Sequence, residues 1–443
     1  MGRLSGSWHR ISGAFWFVPA VCLVAAAVLA QAMVAVDRAL PDDLTSPWLS
    51  WMYAVGIDGS RSMLSSIGAS MLGVAATAFS ITISVVATAS STYGPRLVRN
   101  FMADRGNQAV LGVLVSTFLY TLLVLRTIRS ADDDLAAPFV PHLAVNVAVV
   151  LAVADVVLLV YFIHHIAASV RVETLAHGVR RNFRDVVERW HPQEAPEDLV
   201  RTAGPRAGGG EITAGSVGYL VTVDLDGLRA LARDEDVVLA LVPRVGDHIL
   251  PSEPLVRVWP GDRAEDLATR VRRSVRIGDS RSAAQDVRFA EQQVVELAVR
   301  ALSPGTNDPY TAVNAIEEVA AGIVVAVSRP EPGNTVVEDG TARLHYSTVG
   351  LEEIVDMPFD QIRPHATGHV EVLQALIDLA ARVGGASRHP LVAHRVRGHV
   401  EALLEQFRST DPHPHDLHRV ERHAVHRLAG ATPTRAADDG SHR

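Results

Sequence analysis

The stretch from Ser62 to Tyr93 reads SMLSSIGASMLGVAATAFSITISVVATASSTY and contains no charged residue. Small and hydroxyl side chains return in it every three or four residues, and on an α-helix that spacing places them on one side. We call this set the hydroxyl stripe; its members are Ser66, Ser70, Gly73, Thr77, Ser80, Ser84, Thr88 and Ser91. Because a polar group in hydrocarbon needs a partner, the stripe predicts an inner membrane helix whose hydroxyls face protein or water.

The stripe has two interpretations, and the sequence leaves both open. It can line a pore, or it can let helices pack closely through small residues while serine and threonine bond to their own backbone. A single chain has too few spans to enclose a pore. A channel would therefore need several copies of the chain, with this helix nearest the axis.

Four stretches of the first 170 residues are long and apolar enough to cross a bilayer core of about 30 Å. They are Ala14 to Val36, the Ser62 to Tyr93 stretch, about Ala109 to Leu125, and about Leu143 to Ala167. The first is longer than the apolar part of a secretory signal and precedes no convincing cleavage site, which predicts an uncleaved anchor. The predicted fold is an α-helical membrane region, residues 1–169, followed by a mixed α+β cytoplasmic region.

The distribution of arginine predicts the orientation in the membrane, because short cytoplasmic loops retain basic residues. Arginines flank the predicted cytoplasmic ends at Arg3, Arg10, Arg96, Arg99, Arg105, Arg171, Arg180, Arg181 and Arg184. The other two loops are acidic on balance, with Asp37, Asp42, Asp43, Asp58, Asp132, Asp133 and Asp134. Both termini are therefore expected in the cytoplasm, in a multi-pass protein of the plasma membrane.

One ionisable residue, Asp155, lies near the middle of the fourth span. A carboxylate at that depth is unfavourable and points to cation coordination or a proton relay. The alternative is a neutral acid that bonds to hydroxyls of the striped helix, and Asn146 could share that network. Both interpretations stay open.

Composition excludes several functions. Every one of the 41 basic residues is arginine, so Schiff-base enzymes, P-loop phosphate sites and biotin or lipoyl carriers are excluded, because each needs a lysine. The net charge of -8 argues against nucleic-acid binding, and the single cysteine forms no internal disulfide. No nucleophile with its base, paired carboxylates or convincing metal set is present, so we expect neither an enzyme nor a cofactor.

Beyond the fourth span the sequence predicts four segments. Residues 170–202 form an amphipathic stalk helix and a linker, with apolar positions at Val179, Phe183 and Val187. Residues 203–262 form a small β-rich domain. Its stretch Arg244 to Leu255 has a tight turn, a buried strand and a second turn, a pattern that resembles the hairpins of biotinyl and lipoyl-like domains. Residues 263–430 are mainly helical, with one helix predicted from Pro358 to Val383, and residues 431–443 are disordered.

The turn from Ser303 to Thr311 precedes another predicted helix. Asp308 is a suitable N-cap and Pro309 a suitable first helical residue. With Thr306 and Asn307 beside them, the free amides of the helix start could hold an anion, and the alternative is a simple capped turn. The many histidines near the C-terminus have no fixed carboxylate or cysteine spacing, so no metal site is predicted.

Several phrases together resemble one bacterial family. They are Gly59-Ser60-Arg61-Ser62-Met63-Leu64, Phe79-Ser80-Ile81-Thr82, Tyr93-Gly94-Pro95-Arg96-Leu97, Asp104-Arg105-Gly106-Asn107-Gln108, Leu125-Arg126-Thr127-Ile128-Arg129 and the Ser303 to Thr311 turn. The sequence is similar to predicted membrane proteins grouped as domain of unknown function 2254. The resemblance implies an integral membrane protein with an N-terminal four-helix region and a cytoplasmic remainder, and it carries no established activity.

Two functions follow as hypotheses. The first is a homo-oligomeric channel or permeation pathway for a small ion or solute, lined by the hydroxyl stripe and regulated by the cytoplasmic region. The second is a membrane-anchored sensor or scaffold, whose stripe only packs helices while the Ser303 to Thr311 turn binds a ligand or partner.

Overall fold

The computed structural model describes residues 16–39, 56–93, 105–129, 139–169, 172–205 and 208–429. The chain divides into two compact units, Met1–Thr174 and Leu175–Arg443. The predicted tail at 431–443 and most of the loop charges used for the orientation lie outside the described residues.

Long apolar helices form the described part of the first unit. They are α1 (Phe17–Ala39), α2 (Ile57–Tyr93), α3 (Arg105–Leu125) and α4 (His142–Ser169). Helix α3 packs against the other three, since all of them contact it. Two glycines allow close approach to it: a Cβ atom at Gly112 of α3 would lie 3.0 Å from the Cys22 sulfur of α1, and one at Gly68 of α2 would lie 2.8 Å from Thr121 Oγ1.

Most of α5 (Val172–Trp190), an amphipathic helix, lies at the start of the second unit. Val179, Phe183 and Val187 are buried on it, which confirms the predicted apolar positions. Residues 170 and 171 are not described, so the predicted continuity of this helix with α4 is not addressed.

Two sheets follow α5. Their strands are β1 (Leu199–Val200), β2 (Gly210–Thr213), β3 (Gly218–Val223), β4 (Val238–Leu241), β5 (His248–Ile249), β6 (Pro254–Trp259), β7 (Val275–Gly278), β8 (Thr335–Glu338) and β9 (Thr341–His345). One sheet has the order β1-β8-β9-β4-β6-β2 and the other the order β5-β3-β7. Two short amphipathic helices, α6 (Leu225–Asp234) and α7 (Ala264–Arg273), bury Leu228, Leu231, Leu267 and Val271 in the same core.

The Arg244 to Leu255 stretch has the predicted short strand between two turns, but it does not form the hairpin that its pattern resembles. Strand β5 pairs with β3, whereas β6 pairs with β2 and β4, so the two strands belong to different sheets. The tight turn itself is present, with Gly246 at a φ of 95°. Turn chemistry is local and can be read from sequence, but the choice of partner strand depends on distant residues.

A group of helices completes the second unit. They are α8 (Val287–Ala301), α9 (Pro309–Ser328), α10 (Leu351–Ala366), α11 (Val370–Ala386), α12 (Pro390–Ser409) and α13 (Pro414–Ala429). The single helix predicted from Pro358 to Val383 is therefore two helices. The chain breaks at Thr367-Gly368-His369, where glycine is a common helix terminator, and Pro358 lies inside α10 rather than at its start.

Five of the described helices are long and apolar enough to cross a membrane by length and composition. Four of them are α1 to α4, and the fifth is α9 in the second unit. Helix α9 packs against α8, α10 and α11, and half of its apolar window (50%) is buried. The fold is thus a helical N-terminal region with apolar helices, followed by a mixed α/β region.

Candidate functional site

The hydroxyl stripe lies on the side of α2 that is turned away from the rest of its unit. The buried positions of α2 include Leu64, Met71, Ala75 and Ala78, which pack towards α3 and α4. The stripe residues from Ser66 to Thr88 are all exposed in the chain. Stripe positions fall about two residues from buried ones, and two residues correspond to a rotation of about 200° on an α-helix. Ser91 is on the same helix, but its side chain lies outside the described residues.

The exposed face of α2 differs from the exposed faces of its neighbours. On α4, every exposed position from Val150 to Val160 is valine or alanine. On α1, the exposed positions from Val21 to Val36 are valine or alanine except Gln31. Hydroxyl groups in the exposed, apolar part of the unit are therefore concentrated on α2.

Two threonines of the stripe bond to their own helix. The Thr77 hydroxyl donates to the Gly73 carbonyl at 3.0 Å, and the Thr88 hydroxyl donates to the Ser84 carbonyl at 3.0 Å. Such bonds reduce the penalty of placing a hydroxyl in hydrocarbon, and each hydroxyl oxygen keeps acceptor capacity for a further partner.

The helix with the largest buried share is α3, not α2. In its apolar window 56% of the residues are buried, compared with 22% for α2. The stripe predicts an inner helix because its hydroxyls are expected to face protein or water. Within one chain the structure instead buries the polar residues of α3: Asn107, Gln108, Ser116, Thr117 and Thr121.

Asp155 of α4 is buried inside the first unit, with 1% of its surface exposed. Neither carboxylate oxygen has a hydrogen-bond partner among the described residues. The Thr117 hydroxyl of α3 is close enough to interact with it electrostatically, without hydrogen-bond geometry. The Asn146 amide donates to the His142 carbonyl at 2.8 Å and makes no hydrogen bond to Asp155. Asp155 and the exposed stripe therefore do not form one site within the chain.

The Ser303 to Thr311 turn is a capped helix start. The Asp308 carboxylate accepts bonds from the Thr311 amide at 3.1 Å and the Thr311 hydroxyl at 2.5 Å, and these bonds lower the pKa of Asp308. The amides of Thr306 and Asn307 bond to the Ser303 carbonyl at 3.0 and 2.9 Å. Because Asp308 already places a negative charge at the start of α9, the geometry favours the cap, and the ligand role stays a prediction.

Two of the C-terminal histidines contact carboxylates of neighbouring helices. His399 of α12 lies 2.7 Å from Asp356 of α10, and its ring stacks on Phe359 with centroids 4.7 Å apart. His423 of α13 lies 2.8 Å from Asp378 of α11. In the described ranges, no group of three or more His, Cys, Asp or Glu side chains is placed to hold a metal ion.

A fully buried carboxylate, Glu291 of α8, was not predicted from the sequence. It is 0% exposed, and both of its oxygens lack a hydrogen-bond partner within the part of the chain that the structure describes. Burial raises its pKa well above the usual value, while Arg288 opposes the rise. Glu291 falls at the spacing of the buried apolar positions of α8. This spacing is the sequence signal that could have indicated its burial.

The apolar helices of the first unit, followed by a mixed α/β unit, define the class as a predicted membrane protein. The chain belongs to the predicted membrane protein family DUF2254, whose family model matches residues 12–382, and this confirms the resemblance of its motifs. An uncharacterized protein of Mycobacterium tuberculosis is 31% identical over 424 residues, which cover 92% of this chain and 79% of that protein. An uncharacterized protein of Mycobacterium bovis matches to the same extent. No solved structure matches the chain.

Proposed function

We propose that the protein is a homo-oligomeric permeation pathway for a small ion or solute, with the hydroxyl stripes of several copies facing a common aqueous path. In this arrangement α1 to α4 are the four spans, both termini are cytoplasmic, and the second unit is regulatory. The observation that supports the proposal is the exposure of the stripe on a helix whose neighbours expose aliphatic side chains.

The physical argument concerns what covers the exposed face of α2. Lipid suits the valines of α1 and α4 but leaves the acceptor capacity of serine and threonine unused. A second copy or water would use it. The stripe is flanked by exposed Leu72, Phe79 and Ile83, with 47%, 47% and 42% of their surfaces accessible. These apolar side chains would pack against neighbouring copies and leave a narrow polar strip between the copies.

A cysteine scan tests this arrangement, and the chain is convenient for it because Cys22 is its single cysteine. In a Cys22→Ala background, Ser70→Cys, Thr77→Cys and Ser84→Cys are placed along the stripe. The matched controls are Val153→Cys and Val157→Cys on the exposed face of α4. We expect the stripe variants, in lipid vesicles, to react with a charged water-soluble thiol reagent and to cross-link between copies. The α4 variants should do neither.

Three outcomes have distinct meanings. Reaction with the reagent together with cross-linking supports an aqueous path between copies. Cross-linking without reaction means that the stripe only packs helices, and it favours the sensor or scaffold. If stripe and α4 variants behave alike, the oligomeric arrangement is wrong.

A flux measurement tests permeation itself. Purified protein in liposomes should pass ions or small solutes under an applied voltage or membrane tension, and Ser80→Leu should reduce the flux. Val157→Leu on α4 is the control and should leave the flux unchanged. Protein that passes nothing under any tested condition would contradict the proposal.

A further inference from the structure

The second unit contains a groove of about 780 Å³, which is in the size range of small-molecule sites. Its walls come from the end of α5, from β3 and β7 with their flanking turns, and from the segment before β8. Three prolines, Pro192, Pro196 and Pro332, are part of its lining. Because proline fixes φ, the backbone has less freedom at these three positions.

One wall of the groove carries unpaired positive charge. Arg276 lies in β7 opposite Thr222 of β3, and Arg273 ends α7. Both arginines are exposed, and neither has an ion pair or hydrogen bond among the described residues. Other arginines of the same β region do have carboxylate partners: Arg229 with Asp198 and Glu338, Arg257 with Glu211, and Arg263 and Arg270 with Glu235. Arg273 and Arg276 thus both lack a partner among the described residues, and both line the groove.

The aromatic part of the lining, Trp190 and Tyr346, is held in place. Trp190 lies against Tyr346, with ring centroids 6.0 Å apart, and its indole N–H donates to the Gln285 carbonyl at 2.8 Å. The Gln285 side chain is in turn fixed by the backbone of Val223, through bonds of 2.9 and 3.2 Å. The Trp190 ring is thus a half-buried, oriented surface on which a planar group can stack.

Carboxylates complete the lining. Asp224 accepts a bond from the Gly227 amide at 2.9 Å at the start of α6, and Asp226 is exposed beside it. Acceptors of this kind suit hydroxyl groups of a ligand and disfavour a bare anion. The groove therefore offers two guanidinium groups, an aromatic face and hydroxyl acceptors in one cavity.

We propose that this groove binds an organic anion in which a planar ring is joined, through a hydroxyl-bearing part, to a phosphate or carboxylate group. The anion bonds to Arg273 and Arg276, since planar guanidinium groups match phosphate and carboxylate oxygens. The ring stacks on Trp190, and the hydroxyls bond to Asp224 or Asp226. A molecule the size of a nucleoside monophosphate fits the volume. This inference does not depend on the proposed permeation pathway.

The test uses the full chain in detergent or lipid nanodiscs, with adenosine monophosphate and inorganic phosphate as separate probes. Binding is measured by equilibrium dialysis and by the change in tryptophan emission. We expect adenosine monophosphate to bind and the double variant Arg273→Gln/Arg276→Gln to weaken it by roughly tenfold or more. The control Arg233→Gln removes an exposed arginine outside the groove and should leave the affinity unchanged. Trp190→Phe keeps an aromatic face, so dialysis should still detect binding while the emission change is reduced.

The possible results decide the proposal. Absence of binding to the wild type at millimolar probe would overturn it, and so would equal affinity of the wild type and the double variant. If inorganic phosphate binds as tightly as adenosine monophosphate, the aromatic wall has no role and the proposed ligand class is wrong. Should the double variant lose its circular dichroism signal or its melting transition, the single Arg276→Gln variant replaces it, with an expected loss of severalfold.

Discussion

Asp37 caps helix α4 by accepting a hydrogen bond of 2.9 Å from the backbone amide of Ala144. Its other oxygen accepts from the Leu143 amide at 2.9 Å. The Ala144 carbonyl accepts from the Tyr120 hydroxyl of α3 at 3.0 Å. These bonds connect Asp37 at the end of α1 and Tyr120 of α3 to the first turn of α4. The negative charge of Asp37 also interacts favourably with the dipole of α4 at this end.

Replacing this cap should weaken the first unit. Asp37→Ala leaves two amides at the start of α4 without a partner, and we expect a loss of about 1 kcal/mol, the usual value for an N-cap. This loss of stability is measured by denaturing the purified protein with sodium dodecyl sulfate while the circular dichroism signal is monitored. Asp58→Ala is the control, because Asp58 is an exposed residue of the first turn of α2. Equal losses in both variants would show that the cap has no special role.

Two glycines of α2 distinguish its packed face from its exposed face. A methyl group at Gly68 would lie 2.8 Å from Thr121 Oγ1, which is held by a 2.8 Å bond to the Phe118 carbonyl. Gly68→Ala should therefore destabilise the unit by about 1–3 kcal/mol, as overpacking does. Gly73→Ala, on the stripe, meets no atom within 4 Å and should be neutral or slightly stabilising in the monomer. The reverse order of stabilities would show that the stripe packs within the chain.

The sequence predicted what depends on local chemistry. Hydropathy located the four apolar helices of the first unit, and the Asp308-Pro309 pair located the start of α9. It did not identify the packed face of α2, because Gly68, Ala75 and Ala78 recur at the same spacing as the hydroxyl stripe. Small residues and hydroxyls both suit close packing, so which set faces α3 depends on the shape of the neighbouring helix.

The groove could not be predicted, because its walls are far apart in the sequence. Trp190 ends α5, Arg273 ends α7, Arg276 lies in β7, and Tyr346 follows β9. No local motif joins them, and a free arginine looks the same in sequence as a paired one. The distinction requires the positions of carboxylates in three dimensions.

Gly322 of α9 is required by the ring of Phe183 on α5. A Cβ atom at position 322 would lie 2.2 Å from a ring carbon of Phe183, which is 0% exposed. Neither group can move away in a packed core, so Gly322→Ala should lower stability by about 1–3 kcal/mol or more. Gly398→Ala in α12 is the matched control, because a Cβ there meets nothing within 4 Å, and it should raise stability by about 0.5–1 kcal/mol. Thermal unfolding followed by circular dichroism compares the two.

The buried Glu291 makes stability depend on pH. Its raised pKa means that the folded state keeps a proton at pH values where an unfolded glutamate, with a pKa of about 4.3, has lost it. The stability linked to Glu291 is therefore fully present below about pH 4 and is lost as the pH rises towards the raised pKa. Glu291→Gln should remove this loss, so its advantage over the wild type should grow as the pH rises above the unfolded pKa of about 4.3.

The control for this prediction is Glu296→Gln on the same helix. Glu296 pairs with Arg300 at 2.9 Å and keeps 22% of its side chain exposed, so its loss removes an ion pair but no buried carboxylate. Denaturation midpoints of both variants are measured across the pH range. A pH-independent difference between Glu291→Gln and the wild type would contradict the assignment.

Substitution of Asp155 distinguishes a functional role of its carboxylate from a structural one. Its two oxygens are buried without a hydrogen-bond partner in the described structure, and such a group lowers stability unless something binds it. Asp155→Leu puts methyl groups in place of the two carboxylate oxygens on the same branched skeleton, so we expect a higher denaturation midpoint in sodium dodecyl sulfate. If the group serves permeation, the same variant should reduce ion or solute flux in liposomes, because stability and function conflict at such sites. Thr117→Val serves as the control for the neighbouring hydroxyl. A fall in stability on Asp155→Leu would instead mean that the carboxylate has a structural partner in the assembled protein.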